Sequence, residues 1–408
     1  MMKKILTITI IVLITVNTFA YFDNFSENPA LYASRQYFEF YFPGYSHNVN
    51  VYNSLINLSD LSMFEKDHQL TNSEKETLTE RDLDLDAYID FKPLSFGYQN
   101  WNLDIAVYGK LNANVLKKKY TEIIFYGNED EHYTASSGKG SWGISFVKTR
   151  ASYAYDKSLQ LSFIPESITK FKYWDNTVNY VREMPIYVGA NLNLYNALAY
   201  GEVTKSEQKF GTCTDSTYYN YDMQFIYTDD ETELASAVGF GLGFKAKLPE
   251  GWFHFSVDDL FAEWEYSNLA GAEYQGTYVD SLLYFDEDYE PFDDSVENDS
   301  LRVDFKKVHI KPTIVWGVQH RLYKKVHGLF KYTSSDYKWE GTEFGIYMKP
   351  LPWLPLQTSV GFGEDTRWNF GLGIDLANFE YTTAITFMNG LFAKSRGIGV
   401  SSGIKFKF

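Results

Sequence analysis

The chain has 408 residues, is 45% hydrophobic and 18% aromatic, and contains 33 Tyr, 32 Phe, 9 Trp, 28 Gly and a single Cys. Its 53 acidic against 37 basic residues give a formal charge of −16, which excludes nucleic-acid binding by phosphate neutralisation. The lone Cys213 excludes an intramolecular disulfide, and no apolar stretch after Ala20 is long enough for a membrane helix, so any membrane passage must use strands.

Lys3 and Lys4 precede an apolar run over residues 5–16, and Thr18-Phe19-Ala20 reads as a small-residue cleavage site, which predicts a secretory signal peptide over 1–20. Further on, Thr71-Asn72-Ser73-Glu74-Lys75-Glu76-Thr77-Leu78 predicts a short helix, with Ser73 and Glu76 at capping-box spacing. Asp82, Asp84 and Asp86 then alternate with Leu83, Leu85 and Ala87, so a strand here would place three carboxylates on one face.

Period-two alternation governs most of the remaining chain. Ile186, Val188, Ala190, Leu192, Leu194 and Leu198 share one face, against Tyr187, Gly189, Asn191, Asn193 and Tyr195 on the other. Gly239-Phe240-Gly241-Leu242-Gly243 lies within another alternating strand and has no helix behind it, so its glycines read as small lumen-facing positions rather than a phosphate loop. Val308, Ile310, Ile314, Trp316 and Val318 oppose His309, Lys311, Thr313, Gly317, Gln319 and Arg321. Trp368, Phe370, Leu372, Ile374 and Leu376 oppose Arg367, Asn369, Gly371, Gly373 and Asp375, and Phe379, Tyr381, Ile385 and Phe387 share a face in the following strand. These runs reach ten residues, the length a tilted strand needs to cross a bilayer; soluble strands average about five or six.

Turns are predicted at Gln99-Asn100, Pro249-Glu250-Gly251, Tyr323-Lys324-Lys325, Leu351-Pro352-Trp353, Glu364-Asp365 and Ala377-Asn378. The pattern gives an all-β fold, a transmembrane antiparallel β-barrel of about 14 strands, with 12 to 16 allowed by boundary error. Residues 286–299 hold eight acidic residues and no Lys or Arg, and read as a long loop. Trp101, Trp142, Trp252, Trp339 and Trp353 fall near strand ends, as interfacial belts require. The chain closes on Ile404-Lys405-Phe406-Lys407-Phe408.

That ending is similar to the last strand of bacterial outer-membrane barrels, which the barrel-assembly machinery recognises. Near the start, Glu27-Asn28-Pro29-Ala30-Leu31 and the extended segment 36–42, followed by the polar helix and aromatic hairpins, resemble the fatty-acid-transporter-like superfamily of outer-membrane barrels. That superfamily includes long-chain fatty-acid and aromatic-hydrocarbon transporters and secretion-associated barrels of the PorV kind. The resemblance implies a plug inside a barrel of about fourteen strands. It divides the chain into signal peptide 1–20, plug 21–81 with its short helix, and barrel 82–408 with the acidic loop 286–299. Tyr32-Ala33-Ser34-Arg35 stands where the transporters carry glycines, so no fatty-acid site is carried over.

No catalytic, cofactor or metal residue emerges. Gly399-Val400-Ser401-Ser402-Gly403 fits a nucleophile-elbow spacing, but the five residues after Gly403 leave no room for the helix that chemistry needs. The histidines at 47, 68, 132, 254, 309, 320 and 327 show no ligand spacing, and Asp286, Glu287, Asp288, Glu290, Asp293 and Asp294 do not follow a calcium loop. The expectation is therefore a non-enzymatic channel or transporter in the cell outer membrane, for passive passage of small solutes, hydrophobic ones included. Its partners would be outer-membrane lipid and the assembly machinery. The alternative is a non-transporting barrel that anchors or scaffolds a secretion or surface-assembly machine, and a soluble secreted β-protein stands behind both.

Overall fold

The structure is a computed structural model and describes residues 28–33, 38–64, 68–126, 132–135, 137–155, 157–159, 184–212, 216–281 and 297–408. The signal-peptide reading, plug residues 21–27 and acidic residues 286–296 lie outside the described residues.

The described strands run in order β1 (Phe38–Asn53), β2 (Leu83–Tyr98), β3 (Trp101–Leu116), β4 (His132–Ala135), β5 (Trp142–Ala154) and β6 (Ile186–Thr212). Next come β7 (Ser216–Tyr227), β8 (Ser236–Leu248), β9 (Gly251–Leu260), β10 (Glu263–Ser281), β11 (Glu297–His309) and β12 (Thr313–Tyr323). The last are β13 (Val326–Ser334), β14 (Gly341–Leu351), β15 (Leu354–Gly363), β16 (Thr366–Leu376), β17 (Phe379–Met388) and β18 (Gly397–Lys407).

Fourteen of these form a closed antiparallel barrel. The ring runs β1, β2, β3, β5, β6, β8, β9, β12 and on to β18, which pairs back onto β1 through Val49↔Val400 and its neighbours. Closure satisfies the backbone donors and acceptors all round the wall, which lipid demands of any strand structure. The other four strands lengthen the wall on one side. β6 pairs with β8 over residues 186–196 and with β7 over 201–212, β7 pairs with β10, β10 with β11, and β4 with β6.

All six predicted turns fall between paired strands. Five gather at one end of the barrel, at residues 99–100, 249–250, 324–325, 352–353 and 377–378, beside β1's start and β18's end. The sixth, Glu364-Asp365, lies at the opposite end with the β1–β2 connection. These are the turn end and the loop end below.

Side-chain burial is inverted relative to a soluble protein. On β6, Leu192 and Leu194 are 44% and 45% exposed on the outside, while Asn193 and Tyr195 between and beyond them are 0% and 1% exposed inside. Phe240, Val238 and Leu242 of β8 stand beside Leu192, Leu194 and Ala190 in register, so the exposed apolar surface is continuous across strands. On β16, Phe370, Leu372, Ile374 and Leu376 are likewise exposed. A monomer in water rarely tolerates an apolar patch beyond a few hundred Å², whereas a lipid-facing band requires one. Tyr98, Trp101, Tyr153, Tyr323, Trp353 and Phe408 ring the outside of the turn end, where interfacial aromatics are favoured.

Several expectations need correction. Residues 38–53 form the wall strand β1 rather than part of the plug, because their backbone closes the ring between β18 and β2. The run from Val308 to Arg321 is two strands. Pro312 has no N–H for a ladder and the Lys311 N–H donates to Asp336 Oδ2 at 2.8 Å, so the chain breaks after β11 and restarts as β12. The break turns Ile310 into the interior, and Ile314 follows on the outer face.

The helix Asn72–Leu78 exists, but its capping box is Thr71 with Glu74 instead of Ser73 with Glu76. It lies in the β1–β2 connection at the loop end, near a small cluster of Leu55, Ile56, Met63 and Leu78. Glu297 to Asp299, assigned to the acidic loop, pair as the start of β11 with Glu273 to Gln275.

Candidate functional site: the barrel lumen

The lumen is built from the polar half of the alternation. On β8, Gly239, Gly241 and Gly243 face inward directly opposite Asn193, Asn191 and Gly189 of β6. The space at Gly239 is taken by Tyr195 and that at Gly241 by Asp258, while Gly243 and Gly189 leave a groove in which the Asn28–Ala33 segment lies. A Cβ on Gly189 would meet the Pro29 carbonyl carbon at 2.6 Å and Ala30 N at 2.7 Å, and one on Gly243 would run into Asn28 Oδ1 and Pro29 Cδ.

Asn28 fixes this segment with both ends of its amide. Its Nδ2 donates to the Phe244 carbonyl at 2.8 Å and its Oδ1 accepts from Ala30 N at 3.0 Å, capping the single 3-10 turn Pro29–Tyr32. Leu31 reaches inward-facing Val315 and Leu329 on β12 and β13. The Asn-Pro-Ala tripeptide is therefore a lumenal anchor held on one arc of the wall.

Beyond it lies a buried ionic cluster. Lys148 Nζ donates to Asp258 Oδ2 at 2.7 Å and also to Asp259. Arg150 donates through Nη2 and Nε to Asp104 Oδ2, at 2.7 and 3.1 Å. Asp258 accepts from Asn193 at 2.6 Å; Asp259 accepts from Thr313 at 2.6 Å, from Tyr337 at 2.5 Å and from Tyr195. Adjacent residues of a strand face opposite ways, and Asp259 escapes this through a left-handed backbone, φ 61°. Both carboxylates thus reach one lysine.

Against the cluster packs an aromatic layer. Phe146 is 5.5 Å from Trp264 and 5.4 Å from Tyr337, and Tyr337 is 4.9 Å from Tyr108. Trp264 and Tyr266, at the base of β10, are buried in the same layer.

The arc from β14 round to β3 is different. Ser359, Asn369, Thr386, Gly399, Asn50, Tyr88 and Lys110 are successive cross-strand neighbours at one level of the ring. Thr386 Oγ1 donates to Asn369 Oδ1 at 2.7 Å, Asn369 Nδ2 to Ser359 Oγ at 3.0 Å and to Glu343 at 3.1 Å, and Asn50 Nδ2 to Asn48 at 2.8 Å. Above this row, toward the loop end, is a cavity of about 340 Å³ whose lining includes Asn50, Tyr52, Trp142 and Trp339. At the turn end Lys407 is 2.7 Å from Glu380 and 3.3 Å from Asp375, and Lys349 also holds Asp375.

Of the aspartates singled out in sequence, Asp86 lines the cavity and accepts from Asn112 at 2.6 Å, and Asp84 is the second residue of β2. Asp82 lies off the strand, where it holds Lys117 Nζ at 2.9 Å and Lys118 N at 2.8 Å. Ser401 sits in the closing strand β18. Trp101 and Trp353 keep their place on the outer rim, whereas Trp142 and Trp339 line the cavity and Trp252 stacks inside under Lys245, 4.3 Å from its ring. The ionic cluster was not anticipated. Its one signal in sequence was Lys148 and Arg150 at alternate positions between Val147 and Ala151.

No protein-family model matches the chain, and no curated protein matches it. Among solved structures, a Pseudomonas putida toluene transporter, TodX, is similar at 10% identity and TM-score 0.45, covering 96% of this chain and 94% of that one. The Ralstonia pickettii toluene transporter TbuX is similar at 10% identity and TM-score 0.42, covering 94% and 92%. A Pseudomonas aeruginosa FadL homologue is similar at 8% identity and TM-score 0.39, covering 93% and 91%. The fold described above rests on this chain's own strand ladder.

Proposed function

We propose that the chain is a bacterial outer-membrane channel for passive passage of small solutes, with Asn28–Ala33 narrowing its lumen. The observation that supports this best is the inverted wall: a continuous apolar exterior encloses buried Asn193, Lys148, Asp258 and the polar row from Ser359 to Asn50. A protein that only needed an anchor would have no use for a row of polar side chains facing inward below a loop-end cavity. Entry of the last strand into the membrane would go through the barrel-assembly machinery, with β18 and the exposed Phe408 as its signal.

Planar-bilayer conductance tests the reading. The intact barrel should pass a small ionic current, and a chain lacking the residues up to Ala33 a larger one. No current from either would overturn it. A scaffold for a secretion or surface-assembly machine is the second reading, favoured by the sheet that β4, β7, β10 and β11 add beyond the ring. A stable co-purifying partner together with zero current would select it.

A further inference from the structure

At one hairpin of the turn end, positive charge stands without carboxylates. The chain as a whole is at −16, yet no Asp or Glu occurs over residues 317–335 or 344–363, which include the β12–β13 and β14–β15 turns. Pairing of β13 with β14 sets the two hairpin tips side by side, and the Lys349 N–H reaches the Lys325 carbonyl at 3.4 Å. Lys324 and Lys325 form the first tip and are both exposed. The other four tips at this end, at residues 99–100, 249–250, 352–353 and 377–378, hold no cation.

Among the described residues, neither ammonium meets a carboxylate. Lys325 Nζ donates to the Pro350 carbonyl at 3.4 Å, and Lys324 Nζ lies 5.1 Å from the centre of the Tyr323 ring, so each keeps donors to spare. The neighbouring carboxylates are taken: Glu250 holds Arg321, and Asp375 holds Lys349 and Lys407. Lys324 also has a φ of 39°, a conformation that glycine or asparagine adopts more readily in a two-residue hairpin turn. The tip thus bears a lysine where local preference asks for another residue.

Beside the two ammonium groups the wall is apolar. Leu322, Tyr323, Leu351 and Trp353 are exposed and continue the lipid-facing band. Tyr and Trp settle at headgroup level, so lysines one or two residues beyond Tyr323 stand among the lipid phosphates. A zwitterionic headgroup brings its own cation to that phosphate. An anionic one brings net negative charge, to which lysines near the surface are attracted.

We propose that the β12–β13 tip is a binding site for the headgroup of an anionic phospholipid of the phosphatidylglycerol kind, with Lys324 and Lys325 on the phosphate and Tyr323 and Trp353 beside the glycerol and upper acyl chains. Short turns mark the periplasmic end of outer-membrane barrels, so the lipid belongs to that leaflet. The site goes beyond the channel reading and stands whether or not the lumen conducts.

The test counts bound lipid by native mass spectrometry of the full-length barrel in neutral detergent, titrated with phosphatidylglycerol and, separately, with phosphatidylcholine of the same chains. The proteins are the wild type, the double variant Lys324→Gln/Lys325→Gln, and the control Lys307→Gln/Lys311→Gln. The control removes the same charge toward the loop end, where those lysines pair with Glu263 and Asp336. Each protein is first shown to run as a compact, heat-modifiable band, so that misfolding is separated from lost binding. At about fivefold for each lysine, the wild type should take its first phosphatidylglycerol at a midpoint about 25-fold below that for phosphatidylcholine. The double variant should lose this preference and the control should keep it. Equal midpoints for the two lipids in the wild type, an unchanged preference in the double variant, or an equal loss in the control would each overturn the site. Inorganic phosphate at the same concentration should leave the lipid in place; displacement by it would make the ligand a free anion and overturn the lipid assignment.

Discussion

Replacing Lys148 with Met would remove the cation that two buried carboxylates share. Lys148, Asp258 and Asp259 have side chains exposed by 3%, 1% and 0%, so water cannot stand in for the ammonium. Breaking a buried pair from one side costs about 3–5 kcal/mol, because the remaining charge stays desolvated. The structure sets the value at the lower end. Asp259 keeps donors from Tyr195, Thr313 and Tyr337, and Asp258 keeps Asn193, with Arg150 Nη1 at 3.8 Å. A loss of about 3 kcal/mol, roughly a hundredfold in the folding constant, is expected in urea unfolding from lipid vesicles followed by tryptophan fluorescence. Adding Asp259→Asn to Lys148→Met should recover part of it, since one orphaned charge is then removed. A change within about 0.5 kcal/mol for Lys148→Met alone, the range of surface substitutions, would refute the cluster.

Other consequences follow from the same geometry. Leu192→Arg, on the outer face, should cost about 2–4 kcal/mol in a bilayer if it lies near the midplane, measured by the same unfolding assay; a cost near zero would mean that the face meets water. Gly243→Ala places a methyl against Asn28 and Pro29, so the barrel should stay heat-modifiable while its conductance rises toward that of the plug-less chain; an unchanged current would show that the segment does not obstruct passage. Glu74, in the β1–β2 connection, is lowered from an ordinary 4.5 to about 2, mainly because its carboxylate accepts the Thr71 backbone N–H, with His68 and the Thr71 hydroxyl adding to it. Its contribution to the Asn72–Leu78 cap is thus present above pH 4.5 and lost as pH falls through about 2, and an NMR titration of Glu74 with a midpoint near 4.5 would contradict the cap.

The membrane barrel was legible because alternation is a local property. Leu192 and Asn193, or Leu372 and Gly373, announce their faces without knowledge of any partner strand. Glycine spacing in Gly239-Phe240-Gly241-Leu242-Gly243 announced a crowded inner face, although not that Asn28 and Pro29 would crowd it. What stayed hidden depended on single backbone dihedrals or long-range proximity. The positive φ of Asp259 turns two adjacent aspartates toward one lysine 110 residues away in sequence from Asp258, and no periodicity encodes that. The break at Pro312 swapped the inward face within one apparently continuous pattern. Trp339 looked like a belt residue by position and proved lumenal because its ring fills the space over Gly341 and Gly361.

The most direct test of the central claim, a lipid-facing exterior around a polar lumen, is a cysteine scan of positions 369–374 on β16 in a Cys213→Ser background, reconstituted in lipid and spin-labelled. The account predicts alternation: labels at Phe370, Leu372 and Ile374 meet oxygen dissolved in lipid, and labels at Asn369, Gly371 and Gly373 meet a water-soluble relaxing agent. Equal access of the water-soluble agent to all six positions would contradict it.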